Sequence, residues 1–219
     1  MDIQERLTAF AMLGAAWVMW LLVMLSVLCV AIMLERAYFF LSTRDDIDSL
    51  RRDLADLLRR GDLAGAKKRL QSSKSFEAGV AMAGLEAAED GAASATERIA
   101  GEEKLARLQM ENNLVFLGTV GNNAPFVGLL GTVIGIIRSF HSLNESQGKI
   151  TAGLMSDIGE ALVATAIGIL VALPAVAAFN YFQRIIKARI SRGGALGHEV
   201  LSFLESHRHG HGRSPAAAE

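Results

Sequence analysis

Leu114-Val-Phe-Leu-Gly-Thr-Val-Gly-Asn-Asn-Ala-Pro-Phe-Val-Gly-Leu-Leu-Gly-Thr-Val-Ile-Gly-Ile-Ile137 contains no Asp, Glu, Lys or Arg. Extended back to residue 112, the charge-free run is 26 residues long; residues 7–34 form another of 28, and residues 161–183 a third of 23. An α-helix rises ~1.5 Å per residue, so roughly 20 apolar residues cross the hydrocarbon core of a bilayer. The sequence therefore predicts an all-α membrane protein with three transmembrane helices. Of the 219 residues 51% are hydrophobic and only 6% aromatic, and concentrating them in three runs excludes an ordinary soluble domain.

The formal net charge is −1, with acids and bases interspersed, so there is no basic domain to suggest a nucleic-acid partner. The one cysteine, Cys29, lies inside the first run and has no mate for an intrachain disulfide. That run reads as an anchor rather than a cleaved leader. It is about twice the length of a signal-peptide core, Asp2 and Glu5 precede it where positive charge belongs, and Glu35-Arg36 closes it.

Orientation follows from Lys and Arg near the span ends. Arg36, Arg44, Arg51 and Arg52 follow the first run, Arg98, Lys104 and Arg107 precede the second, and Arg184, Lys187, Arg189 and Arg192 follow the third. The opposite side has Arg6, Arg138 and Lys149. The predicted layout is residues 1–10 outside, 11–34 as span one, 35–113 as a cytoplasmic helical insertion and 114–140 as span two. A loop at 141–156 lies outside, 157–182 is span three, and 183–219 is a cytoplasmic helix with a disordered tail.

Within the insertion, Ile47, Leu50, Leu54 and Leu57 fall at helical spacing and form one apolar stripe among charges. Gly61-Asp62 reads as a stop followed by an N-cap, Leu63 to Leu70 as a short helix, residues 71–75 as a turn, and Phe76 to Glu89 as a helix of small residues. From Thr96 the pattern Ile99, Leu105, Leu108 predicts one unbroken helix into span two. The tail holds His207, His209 and His211; it reads as a solvated terminus or, with imidazoles as donors, a metal site.

In span two, Gly121, Gly128 and Gly135 recur every seven residues, with Gly131 and Thr132 between them, giving a face where backbones approach closely. Pro125 frees a helix carbonyl, tolerable in a membrane only if protein or water satisfies it. In span three, Glu160, Ala164, Gly168 and Ala172 lie four apart, a carboxyl followed by small side chains, and Pro174 follows. An intramembrane carboxylate marks a functional site unless it is a cap, and Asp157-x-x-Glu160 also reads as a capping box. Thr132 and Thr165 each lie eight residues in from the outer ends of their spans. That places both about 12 Å deep, with Glu160 roughly 7 Å nearer the outer surface. Together they can hold a water file and a proton-accepting carboxyl; alternatively both hydroxyls bond back to their own helices. The first span, with Trp17, Trp20, Met19, Met24 and Met33, reads as a lipid-facing outer helix.

Two strings carry a resemblance. Gly121-Asn-Asn-Ala-Pro-Phe-Val-Gly-Leu-Leu-Gly-Thr-Val-Ile-Gly-Ile-Ile-Arg-Ser-Phe140 contains Pro-Phe-x-Gly-Leu-x-Gly-Thr-Val, and Ile158-Gly-Glu-Ala-Leu-Val-Ala-Thr-Ala-Ile-Gly-Ile-Leu-Val-Ala-Leu-Pro174 contains Glu-Ala-Leu-x-Ala-Thr-Ala-x-Gly. In order and spacing they resemble the MotA/TolQ/ExbB proton channel family, on the TolQ/ExbB-like branch. The resemblance implies a multi-pass subunit of the bacterial inner membrane, with its N-terminus periplasmic and its C-terminus cytoplasmic. It implies a homo-oligomeric ring, a pentamer, whose second and third spans surround a pore holding a single-span ExbD/TolR-like partner. Proton-motive force would then drive work at the outer membrane through TonB/TolA-like or gliding-machinery proteins. By position, Thr132, Glu160 and Thr165 match the polar pore lining, and Gly121, Pro125, Gly128, Gly131, Gly135, Gly168 and Pro174 match packing positions.

No metalloprotease helix, phosphate loop or nucleophile with a base is present, so the sequence suggests no enzyme, cofactor or metal site. The rival reading is a non-conducting scaffold whose glycine faces serve assembly alone. A small transporter would need an inverted repeat, which three spans do not show.

Overall fold

The computed structural model describes residues 14–211, with side chains through Ser206. The N-terminal segment 1–10 and the histidine side chains of the tail lie outside the described residues. Seven α-helices and one 3₁₀ turn make up the described chain, and none of it is strand. The helices are α1 (Ala16–Ser42), α2 (Ile47–Arg59), α3 (Leu63–Gln71), α4 (Phe76–Glu86), α5 (Ala92–Glu111), α6 (Leu114–Glu145) and α7 (Ala152–His211), with the 3₁₀ turn at Ala87–Asp90. Three helices are long and apolar enough to cross a membrane, in the segments holding α1, α6 and α7.

The chain divides into two compact units, one from residues up to Arg36 plus Asn113–Phe182, the other from Ala37–Asn112 plus the chain from Gln183 onward. In the first unit the start of α1, all of α6 and the first half of α7 pack on one another. α6 and α7 meet through small residues. Ala124, Gly128, Gly131 and Gly135 on α6 are buried, as are Ala161, Ala164, Gly168 and Ala175 on α7. The outward surface stays apolar: Trp20, Val27, Leu34, Val115, Phe126, Leu170 and Leu173 are all more than 60% exposed. Water would penalise such a surface, and lipid does not.

The first span differs from its expected role as a helix that meets lipid all round. Val18 and Leu22 are fully buried and Cys29 is 2% exposed, so one stripe of α1 is interior. Gly131 is the reason. A Cβ there would stand 3.2 Å from Val18 Cγ1, so the bare backbone of α6 is what lets α1 in.

The second unit builds its core from α2, α3, α4 and the distal part of α7: Leu50, Leu54, Leu58, Ala66, Leu70, Ala78, Ala81, Leu85, Leu196 and Val200. The buried α2 position is Leu58, where the sequence pointed to Leu57; Leu57 is only partly buried at the rim. Spacings of four put Leu50, Leu54 and Leu58 on one line down the helix. Asp62 caps α3 by accepting from the Gly65 N–H at 2.8 Å, and Ser75 caps α4 by accepting from the Ala78 N–H at 3.2 Å. Gly61 precedes with φ +72°, the left-handed turn that ends α2. α4 ends at Glu86 and tightens into the 3₁₀ turn, earlier than the Glu89 expected from composition.

The predicted unbroken helix into span two is also corrected. α5 stops at Glu111, Asn112 is extended (φ −52°, ψ 139°), Asn113 is left-handed (φ 62°), and α6 starts afresh at Leu114. Asparagine tolerates this conformation better than other residues with a side chain, which is how an Asn-Asn pair without glycine or proline makes the break.

Two ionic side chains are buried in this unit. Arg189 donates to Thr43 Oγ1 at 2.8 Å, to the Thr43 carbonyl at 3.3 Å and to the Phe40 carbonyl at 2.8 Å, with its guanidinium 5.5 Å from the Phe40 ring centre. It thereby caps the C-terminus of α1, where carbonyls lack helical donors and the dipole favours a cation. Burial lowers its pKa, against the opposing pull of Glu77. Glu77 is 2% exposed, and its Oε2 has no hydrogen-bond partner among the described residues. Burial pushes its carboxyl pKa up despite the facing Arg189 and Arg192, with Asp45 adding to the rise.

The consequence for stability has a definite sign. A carboxyl with a raised folded-state pKa holds its proton more tightly folded than unfolded, so its contribution is full below the ordinary value and is lost as pH rises through the raised one. Glu77→Gln, which stays neutral, should therefore melt above the parent at neutral pH, by roughly 2–4 °C. The difference should shrink toward pH 4. Thermal unfolding of both proteins in detergent across that range checks it.

Candidate functional site

The site is built where α6 and α7 cross. Both are charge-free through this region, so their registry rests on shape. A Cβ on Gly128 would stand 2.7 Å from the Ala164 carbonyl oxygen and 3.0 Å from Thr165 Cα. One on Gly168 would stand 2.7 Å from the Ala124 carbonyl oxygen and 3.0 Å from Gly128 Cα. Two glycines thus lie backbone to backbone, and Gly135 meets Ala161 in the same way one helical turn beyond Gly131. The seven-residue glycine repeat is used inside one chain, as the seam between its own second and third spans.

Thr132 and Thr165 lie in this seam, half-buried, with their hydroxyls in hydrogen-bond contact. Thr132 Oγ1 also lies 3.0 Å from the Ala161 carbonyl, and Thr165 Oγ1 3.2 Å from the Gly128 carbonyl. Back-bonding of Thr132 to Gly128 on its own helix is long, at 3.5 Å. The hydroxyls therefore bridge the two helices rather than each closing on its own. A threonine hydroxyl has one proton and two lone pairs. With Thr132 donating to the Ala161 carbonyl, the Thr165 proton serves either Thr132 Oγ1 or the Gly128 carbonyl. Lone pairs on both oxygens remain open to water at the exposed side.

Glu160 is placed differently. It is half-exposed and makes no hydrogen bond or ion pair with either threonine or with any other described residue. Its neighbour Ala161 supplies the carbonyl that receives the Thr132 proton, so carboxyl and hydroxyls share a stretch of helix without a hydrogen bond between them. The capping-box alternative fails because α7 begins at Ala152, with Thr151 Oγ1 accepting from the Leu154 N–H at 3.2 Å. Asp157 and Glu160 both lie beyond the first turn.

Asp157 has another task that the sequence did not disclose. It lies 3.5 Å from Arg138 Nε and accepts from Ser142 Oγ at 3.3 Å, tying the C-terminal end of α6 to α7. Of the packing positions, Gly121 lies against Val176; Gly118, which the sequence did not single out, lies against the Phe179 ring. Pro125 is half-buried, and Pro174 is exposed on the outside of α7. Among the described residues no group of His, Cys, Asp and Glu could hold a metal ion.

Fold and site together define a multi-span helical membrane protein with a hydroxyl pair, and a carboxyl unpaired among the described residues, on two tightly seamed spans. The sequence pattern of the MotA/TolQ/ExbB proton channel family matches residues 72–193, more than half of the chain. The chain belongs to that family, on its TolQ/ExbB-like branch. It is 38% identical over 96 residues to the biopolymer transport protein ExbB of Xanthomonas campestris, covering 44% of this chain and 38% of that protein. It is 43% identical over 108 residues to the Tol-Pal system protein TolQ of Pseudomonas aeruginosa, covering 49% and 45%. A putative biopolymer transport protein, ExbB-like 2, of Helicobacter pylori is 34% identical over 99 residues, covering 45% and 66%. The matched segments thus span less than two thirds of each relative.

Proposed function

We propose that the chain is a proton-channel subunit of an inner-membrane motor, coupling the proton-motive force to work at the outer membrane. The observation that carries this is Glu160, a half-exposed carboxyl with no partner among the described residues, directly before the charge-free stretch 161–183 of α7 that holds Thr165 of the Thr132–Thr165 pair. A lone carboxyl facing lipid costs several kcal/mol, so its exposed side needs water or another chain. A homo-oligomeric ring, taken as a pentamer, meets that need by gathering α6 and α7 around a wet lumen. The family match and the TolQ and ExbB relatives support this reading.

A single-span ExbD/TolR-like chain in the lumen would contribute the group that carries the proton, because of the two carboxyls in the third span Asp157 is held by Arg138 and only Glu160 lacks an ion pair among the described residues. Glu160 orders water and steadies the charge in transit; Thr132 and Thr165 extend the hydrogen-bonded path inward. A unit charge crossing 100 mV is worth ~2.3 kcal/mol, and that work would pass to a TonB/TolA-like or gliding-machinery protein. The excess of Lys and Arg puts residues 35–113 and 183–219 in the cytoplasm, and residues 1–10 and 141–156 in the periplasm.

A non-conducting scaffold is favoured by one observation, that both threonine hydroxyls already find protein acceptors. The Thr132→Val/Thr165→Val double variant separates the two readings. Proton uptake by vesicles carrying the chain with its co-purified partner should fall about tenfold or more in a conductor, while complex yield holds. Unchanged uptake supports the scaffold.

A further inference from the structure

We infer that the second unit carries a binding site for the headgroup of an anionic phospholipid. Its cavity of about 520 Å³ is lined by Arg107 of α5 and by Gln183, Arg184, Ile186, Lys187 and Ile190 of α7. That volume lies within the range of small-molecule sites. Arg107 donates to Glu111 at 2.9 Å, so its charge is partly answered. Arg184 and Lys187 are exposed and form no ion pair with any described residue. Spaced three apart, they share a helix face, and their like charges repel until an anion enters.

Two features favour a lipid over a free anion. The lining includes Ile190, partly exposed, an apolar contact that a hydrated phosphate does not use and a glycerol backbone with acyl chains does. The site also lies at the water boundary in sequence: Gln183 ends the third charge-free run, and Arg107 stands five residues before the second. Basic residues at the inner end of a spanning helix meet the anionic headgroups of that leaflet. The inference rests on the proposed orientation, with this end of the spans cytoplasmic, and does not depend on conduction.

The test uses the full-length protein in a neutral detergent, titrated with phosphatidylglycerol, phosphatidylcholine or inorganic phosphate, with retained lipid counted by native mass spectrometry and the melting temperature recorded. Phosphatidylglycerol should be retained and raise the melting temperature; the other two should do neither. Arg184→Gln/Lys187→Gln should weaken phosphatidylglycerol binding roughly 25-fold, about fivefold per cation. Arg184→Lys/Lys187→Arg, which keeps the charge, should bind as the parent does, as should Arg59→Gln/Arg60→Gln on the exposed end of α2. Equal binding of phosphatidylcholine, an equal effect of inorganic phosphate, or unweakened binding by the Gln pair would overturn the assignment.

Discussion

Gly128→Leu should leave almost no folded protein in the membrane. The Cβ position at Gly128 meets a carbonyl oxygen at 2.7 Å, a Thr165 Cα at 3.0 Å and a Gly168 Cα at 3.2 Å, all of them backbone. No side chain can swing aside to make room, so α6 and α7 must separate along the length that holds the threonine pair. Overpacking a core typically costs about 1–3 kcal/mol, and a rigid backbone wall puts this site beyond that range. Even alanine should lower the melting temperature by several degrees. Gly159, with nothing within 4 Å of its Cβ position, is the control on the facing helix α7, and Gly159→Ala should be nearly neutral. Membrane abundance by immunoblot and thermal unfolding in detergent measure both.

Glu160→Gln should leave folding and abundance intact and remove gradient-driven function. The carboxyl has no described partner to lose, so the amide removes charge without breaking a contact. If Glu160 orders the water that passes the proton, losing its charge and its ability to protonate should lower proton uptake about 100-fold or more, the scale of an acid–base contribution. Glu160→Asp, which keeps the charge on a shorter arm, should retain part of the flux. Uptake into energised vesicles reports the result, and normal uptake by Glu160→Gln would take this residue out of the path.

How much of this could be read beforehand differs from element to element. Charge-free runs announce the spans because a bilayer tolerates few charges, and Asp62 and Ser75 announce their caps because capping is local. Thr132 and Thr165 could be set at one depth by counting from the turn. Their hydroxyl contact depends on how α6 rotates against α7, which Gly128 and Gly168 decide. The break at Asn113 escaped because asparagine is only mildly unfavourable within a helix, and nothing else nearby interrupts the pattern. Asp157 looked like a cap because the helix start at Ala152 has only Thr151 to mark it. Arg138 and Asp157 are 19 positions apart and meet only through the hairpin. Arg189 and Glu77 read as surface charges in sequence, and only the packing of the second unit buries them.

The assembled complex in lipid, imaged at a resolution that shows side chains, bears most directly on the ion path. The account predicts Glu160 and the open sides of Thr132 and Thr165 facing a hydrated lumen shared among copies of the chain. Finding those three oxygens turned toward acyl chains, or closed off within each copy, would contradict it.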